Sequence, residues 1–84
     1  MPNINLQAYW GTTSFNLECP ELAKLRTYLA NRPSGVIVIG AWSFEWKNGV
    51  LYFASGGIPT KYYIDMSLND IIAVIDAAIA QFCR

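Results

Sequence analysis

The most constraining feature of this sequence is a pair of apolar runs joined by Asn48-Gly49, within residues 35–55, GVIVIGAWSFEWKNGVLYFAS. Both turn residues accept the positive φ of a type I′ turn, and Asn-Gly between alternating apolar residues is the strongest short-range signal for a β-hairpin. This turn predicts a set of cross-strand pairs: Lys47 with Val50, Trp46 with Leu51, Glu45 with Tyr52, and Phe44 with Phe53.

The predicted hairpin has one strongly apolar face and one mixed face, because side chains alternate across a strand. The apolar face must be buried, since its large side chains would otherwise form an extensive exposed patch. The apolar face consists of Trp42, Phe44, Trp46, Leu51 and Phe53, and the mixed face of Ser43, Glu45, Lys47, Val50, Tyr52 and Ala54.

Residues 36–39, VIVI, are apolar at every position. This pattern is typical of a strand that is covered on both faces or lies at an interface. Gly40 interrupts the run and is interpreted either as a bulge or as an ordinary position in one continuous strand. Without a bulge, the alternation places Ile37 and Ile39 on the mixed face of the hairpin.

The chain has 84 residues, and we expect one domain covering residues 1–84. Only 14% of the residues are charged, against about 25% in typical domains. Small, apolar and lightly charged chains often hide surface in an oligomer or on a partner. Six basic and six acidic residues give zero net charge. This balance argues against nucleic-acid binding, because phosphate neutralisation supplies much of that affinity.

We expect a cytoplasmic protein with no membrane partner. No segment reaches the roughly 18 uninterrupted apolar residues of a membrane span, and the first residues lack the basic and apolar regions of a signal peptide. Cys19 and Cys83 are read as plain thiols in such a protein. A disulfide between them stays open, because antiparallel helices on the sheet would bring the two cysteines together.

The strands outside the hairpin are shorter. Residues 4–10 alternate between apolar and polar side chains and predict a first strand, although its place in the main sheet stays open. Residues 11–14 (GTTS) predict a turn or loop, and residues 15–19 an extended connection. After a loop at residues 56–60, residues 61–65 predict a last strand, with Tyr62 and Ile64 on one face and Tyr63 and Asp65 on the other.

Two helices are predicted. The first, at about residues 20–31, has Pro20 at its first position and apolar residues at helical spacing. The second begins after Ser67, a good N-cap, and Asp70 lies three residues further on as a carboxylate variant of the capping box. Apolar residues fill half of its circumference, which suits a helix lying on a sheet: Leu68, Ile71, Ile72, Val74, Ile75, Ala78, Ile79 and Phe82.

The element order β-α-β-β-β-α predicts an α+β domain with a mainly antiparallel sheet and both helices packed on one face. The segment from Pro20 to Phe82, with the order helix, three strands, helix, resembles the double-stranded-RNA-binding domain in topology. The resemblance implies nucleic-acid binding as an alternative function. The start of the last helix, Ser67-Leu68-Asn69-Asp70, is acidic where that family has basic residues.

We predict no catalytic residue, no cofactor and no metal site. The sequence has no histidine, which removes Ser-His and Cys-His pairs and the commonest metal ligand. The two cysteines lack CxxC spacing, and Cys19 has no neighbouring base. Five of the six carboxylates lie at helix starts or on strands, Asp76 lies on the outer side of the second helix, and no cleft is marked near them. The expected protein is therefore not an enzyme.

The sheet face away from the helices, called the open face here, is the candidate binding surface, because it is more apolar than a solvated face. The hypothesis is a protein-binding module, an inhibitor or adaptor that occludes its target, with a partner protein or a homodimer at this face or at the edge beside it. Such small proteins often come from phages or mobile elements and block a host complex. The predicted partner-binding residues are Ile37, Ile39, Glu45, Lys47, Val50, Tyr52 and Tyr63.

Two alternatives belong to other classes of protein. A nucleic-acid-binding domain would stack bases on Trp42, Phe44 and Trp46 or use its helix faces. A small-ligand-binding protein would use an aromatic pocket near Trp10, Trp42 and Tyr63. Strong salt dependence of binding would favour the first alternative, and ligand-induced stabilisation the second.

Overall fold

The computed structural model describes residues 2–31, 33–56 and 61–83. Within them, a single antiparallel sheet has the strand order β2-β1-β6-β5-β4-β3, and both helices pack on one of its faces. The predicted α+β architecture is confirmed. The elements are β1 (Asn3–Ala8), β2 (Gly11–Asn16), α1 (Cys19–Ala30), β3 (Val36–Ile39), β4 (Trp42–Lys47), β5 (Val50–Ser55), β6 (Tyr62–Ile64) and α2 (Leu68–Phe82).

The β4–β5 hairpin forms as the turn chemistry predicts. Asn48 and Gly49 have φ values of 53° and 80°, both in the left-handed region that a type I′ turn requires. All four predicted pairs are present, from Lys47 opposite Val50 to Phe44 opposite Phe53. The apolar face is the core face, where Phe44, Leu51 and Phe53 are buried and Trp42 and Trp46 are half-buried against them.

Gly40 is neither a bulge nor a position within a continuous strand, so both interpretations were wrong. Gly40 and Ala41 form a two-residue turn that reverses the chain, and Ile39 pairs with Trp42 across it. Gly40 has a φ of 61°, which its lack of a side chain permits. Residues 36–39 therefore form a separate strand, β3, at the edge of the sheet. Four strands separate the two helices, where the sequence predicted three.

β2 is the second difference between the predicted and the observed fold, because residues 11–14 were predicted as a turn or loop. The whole segment pairs with β1, from Asn3 opposite Asn16 to Ala8 opposite Gly11. The sequence did not predict this strand because most of its side chains are polar. An edge strand needs only a few apolar residues on its core face, and in β2 Phe15 is the buried side chain. The predicted loop at residues 56–60 lies, except for Gly56, outside the described residues.

The first strand joins the main sheet through a short contact with β6. Ala8 pairs with Ile64, and the Asp65 amide donates a 2.7 Å hydrogen bond to the carbonyl of Gln7. On the core face, Ile4, Leu6 and Ala8 are buried beside α2. This contact makes the first strand part of the main sheet, a question that the sequence left open.

Both helices begin with side-chain caps. At α1, the Glu18 amide donates to Oε1 of Glu21 at 2.8 Å. At α2, the Asp70 amide donates to Oγ of Ser67 at 3.1 Å, as the sequence predicts. The helices press apolar stripes onto the sheet: Leu22, Leu25 and Leu29 from α1, and Ile71, Ile75 and Ala78 from α2.

Cys19 and Cys83 form a disulfide, with their Cα atoms 5.7 Å apart. The helices are antiparallel, so the start of α1 lies beside the end of α2, and an Arg26–Asp76 ion pair at 2.7 Å joins them midway. The two cysteines are 64 positions apart in sequence. Closing a loop of that length stabilises the fold by about 4 kcal/mol on chain-entropy grounds.

Candidate functional site

Five of the seven predicted partner-binding residues lie on the open face. Tyr52 and Tyr63 pair across β5 and β6, and Glu45 pairs with Tyr52 across β4 and β5. Lys47 and Val50 face each other beside the β4–β5 turn. Lys47 and Tyr63 are exposed, while the other three are half-buried. The alternation of the β4–β5 hairpin was therefore sufficient to place four of these residues, and the pairing of β5 with β6 places Tyr63.

Ile37 and Ile39 were placed on the wrong face. Because the chain reverses at Gly40, Ile39 pairs with Trp42 and Ile37 pairs with Phe44, so both isoleucines share the core face. Ile39 is fully buried, and Ile37 is half-buried against the core. Neither side chain is available on the open face.

The prediction missed three open-face residues, Val36, Val38 and Tyr9. Val36 and Val38 are 51% and 59% exposed, and Tyr9 is 49% exposed. A prediction with a two-residue turn at Gly40 would have placed both valines on the open face. Such a turn exchanges the sheet faces assigned to residues 36–39 relative to a continuous strand. The alternation of residues 4–10 had put Tyr9 opposite the core side, but only the β1–β6 contact brings it beside Tyr63.

Three tyrosines form a continuous row across the open face, called the tyrosine row here. Tyr9 stacks on Tyr63 with ring centroids 4.6 Å apart and an interplanar angle of 22°. Tyr63 meets Tyr52 edge to face at 6.3 Å. The pairing register extends the row through Glu45 to Val36 at the free edge of the sheet. The tyrosine row, Glu45 and Val36 therefore form one line across β6, β5, β4 and β3, with Tyr9 directly after the end of β1.

Next to the row lie two small residues that are fully buried although they belong to the open face. Ser43 pairs with Ala54 across β4 and β5, and Val38 flanks Ser43 on β3. The Ser43 hydroxyl has no hydrogen-bond partner among the described residues. A buried hydroxyl without a partner lowers stability, because it has lost its water.

The other part of the open face, on β1 and β2, is polar and internally bonded. Nδ2 of Asn3 donates to Oδ1 of Asn16 at 2.7 Å, and the Ser14 hydroxyl donates to Oδ1 of Asn5 at 2.5 Å. These side chains are exposed and uncharged. This ladder satisfies its own polar groups and presents no apolar area to a partner.

A groove of about 600 Å³ runs along the core side of the β3 edge, between that strand and α1. Its apolar lining includes Ala23, Tyr28, Pro33 and Ile37. The Tyr28 hydroxyl fixes one end of the groove, since it donates to the Gly35 carbonyl at 2.7 Å and accepts from the Trp46 amide at 2.9 Å. The groove is a concave surface distinct from the open face.

The aromatic sites of the two alternative functions are not assembled. Phe44 is fully buried, and Trp42 and Trp46 pack against the core, so they offer no platform for bases. Trp10 and Trp42 each contact the Phe53 ring on the core side, whereas Tyr63 lies on the opposite face. These three residues therefore do not line one pocket.

Within residues 2–31, 33–56 and 61–83, no group of three or more His, Cys, Asp or Glu side chains is arranged to hold a metal ion. No helix of this part of the chain is both long and apolar enough to cross a membrane. Comparison with protein-family models, curated proteins and solved structures finds no match for the chain.

Proposed function

We propose that this chain is a non-enzymatic protein-binding module that acts through the open face of its sheet. In this role it is an inhibitor or adaptor that covers a surface of its target. The observation that carries the proposal is the tyrosine row, in which Tyr9 and Tyr63 are exposed, on the same face as the exposed Val36 and Val38. Tyrosine is enriched at the energetic centres of protein interfaces, and exposed apolar patches on small proteins mark such interfaces.

The charges around the row fit a protein target better than a polyanion. Glu45 and Lys47 lie on β4 and Asp65 lies beside β6, so both signs of charge border the aromatic centre. Apolar centres with a mixed polar rim are typical of protein–protein interfaces. The origin in a phage or mobile element and the host complex as target stay predictions.

The test is a pull-down from lysate of the source organism with three versions of the tagged protein. Wild type, Tyr63→Asp and the matched Ser14→Asp are compared with and without nuclease. We expect a stoichiometric protein band with wild type and Ser14→Asp that Tyr63→Asp loses. A band that survives Tyr63→Asp but disappears with Ser14→Asp contradicts the proposal, because binding would then use the polar ladder.

A second candidate function is binding of single-stranded nucleic acid on the same row. Exposed aromatic rings on an open sheet can stack bases, and this observation favours it. The zero net charge works against it, because phosphate contacts supply much of such affinity. Nucleic acid in the wild-type eluate, lost with Tyr63→Asp and weakened steeply by salt, would support this second function.

The cytoplasmic location also stays a prediction. The Cys19–Cys83 bond is an observation against it, because disulfides persist mainly in oxidising compartments. Alkylation of the protein inside intact source cells, followed by mass spectrometry, distinguishes the two locations. Alkylation of both cysteines indicates a reducing compartment such as the cytoplasm, and protection of both indicates an oxidising one.

A further inference from the structure

Among the described strands β3 pairs only with β4, so it forms a free edge of the sheet in this part of the chain. In antiparallel pairing the backbone groups of successive residues point to opposite sides of the strand. The two-residue turn makes Ile39 and Trp42 the closing pair, so Ile37 and Ile39 direct their amides and carbonyls toward β4. Val36 and Val38 therefore direct theirs outward, away from the sheet.

This edge lacks the features that usually protect a free strand. Natural edges carry lysines, prolines or bulges that prevent further pairing. β3 has none of them, since its residues are Val-Ile-Val-Ile and its pairing with β4 is regular. The Val36 and Val38 side chains add exposed apolar area on the open face at the same edge.

The free edge is complementary to itself. Facing residues of antiparallel strands must share a sheet face, and this condition is met when Ile37 lies opposite Ile37 of a second copy. Val36 then faces Val38 of the second copy, and each such pair exchanges both of its backbone hydrogen bonds. The side chains of β3 are uncharged, so no like charges meet between the paired strands, and Lys24 is the charged residue in the described lining of the adjacent groove.

In this arrangement of two copies, the groove between α1 and β3 receives the Ile37 side chain of the second copy. Ile37 of the second copy lies on the core side, about one strand spacing of 4.8 Å beyond β3. That position is within the groove lined by Ala23, Thr27 and Tyr28. Two independent features, the backbone edge and the apolar groove, thus fit the same occupant.

We propose that this chain forms a two-fold symmetric homodimer in which β3 pairs antiparallel with β3 of a second copy, with Ile37 at the axis. The two sheets become one continuous sheet, and the two helix layers lie on the same side. The dimer leaves both tyrosine rows exposed on one shared face. The inference is therefore independent of the proposed function, although it would make that function bivalent.

Sedimentation equilibrium on wild type, Val38→Lys and the matched Thr12→Lys tests the dimer. Thr12 is exposed on β2, the opposite edge of the sheet, so Thr12→Lys controls for added charge. Wild type and Thr12→Lys are expected to sediment at twice the chain mass. Val38→Lys raises the dissociation constant at least about tenfold, because lysine on an edge strand opposes further pairing and the two new ammonium groups would be diagonal neighbours across the axis.

Val36→Lys is the second edge variant, and the circular dichroism of every variant is compared with that of wild type to verify folding. Slow hydrogen exchange at the Val36 and Val38 amides, lost on dilution, is the expected signature of the strand pairing. A wild-type chain that stays monomeric up to about 1 mM overturns the inference. A dimer that survives both Val38→Lys and Val36→Lys also overturns it.

The same samples separate this inference from the proposed function. Tyr63→Asp is expected to remain dimeric while it loses the partner, whereas Val38→Lys is expected to be monomeric. Loss of the dimer with Tyr63→Asp, with Val38→Lys still dimeric, would move self-association to the open face and overturn the edge pairing.

Discussion

The hairpins at the two ends of the sheet, β1–β2 and β3–β4, are built alike but carry different surfaces. Each is closed by a two-residue connection, and each contributes a fully buried phenylalanine beneath the sheet, Phe15 or Phe44. On the open face, β1–β2 carries a ladder of polar side chains that bond to one another. The β3 edge instead exposes Val36 and Val38.

This difference separates what a hairpin needs in order to fold from what it offers to a partner. Burial on the core face is common to both hairpins, so it accounts for their presence in the sheet. The open face adds little to that burial and is free to differ. The polar ladder forms its own hydrogen bonds and stays hydrated. Covering the apolar edge beside the tyrosine row, by contrast, lowers the free energy, because apolar surface is removed from water.

The largest effect, a loss of stability, is expected for substitutions in the core beneath the sheet, where the two hairpins are alike. Phe15→Ala and Phe44→Ala should each lower the free energy of unfolding by about 3–5 kcal/mol, because each leaves a cavity in the core. Urea unfolding followed by circular dichroism measures both. A loss for Phe15→Ala less than half of that for Phe44→Ala would mean that β1–β2 is only a peripheral addition.

The next effect concerns partner affinity on the open face. Tyr63→Ala should weaken binding of the captured partner by about 2 kcal/mol, roughly 30-fold, because it interrupts the tyrosine row. Ser14→Ala, on the polar ladder, should change affinity by less than about 0.5 kcal/mol. Calorimetric titration measures both variants, and equal losses would remove the distinction between the two surfaces.

A smaller effect on stability is expected at Tyr28, where α1 is hydrogen-bonded to the sheet beside the β3 edge. Tyr28→Phe removes the hydroxyl that joins Gly35 to Trp46, and it should lower stability by about 1 kcal/mol. Tyr63→Phe is the control, because its hydroxyl is on an exposed ring. Thermal unfolding compares the two, and equal shifts would show that the Tyr28 bridge contributes nothing specific.

The smallest effects should have opposite signs on the two parts of the open face. Ser43→Ala removes a buried hydroxyl that has no described partner, and it should stabilise the fold by up to about 1 kcal/mol. Ser14→Ala removes an exposed hydrogen bond to Asn5 and should destabilise it by about 0.5 kcal/mol. Chemical unfolding gives both signs, and a destabilising Ser43→Ala would indicate that the hydroxyl has a partner.

Turn and cap chemistry made part of this fold predictable from the amino-acid sequence. Asn48-Gly49 fixed the register of β4 and β5, and with it the face of four predicted partner-binding residues. Ser67 marked the start of α2. In each case the information lies within a few neighbouring residues, since a positive φ or a capping hydroxyl acts locally.

The edge strands were not predictable in the same way. Residues 11–14 form a strand because β1 supplies their hydrogen bonds and the core accepts Phe15. Gly40 permits either a bulge or a turn, and the pairing of β3 along β4 selects the turn. Periodicity cannot distinguish these outcomes, because each satisfies the same local preferences.

Sequence alone was sufficient for the α+β class, the central hairpin and the polar or apolar character of each segment. The tertiary structure decided which valines and isoleucines face outward, which strand is the free edge, and that Tyr9 joins Tyr63. It also joined Cys19 to Cys83. The physical reason is that these features depend on contacts between residues far apart in the chain, whose energies arise only once the sheet and both helices are packed together.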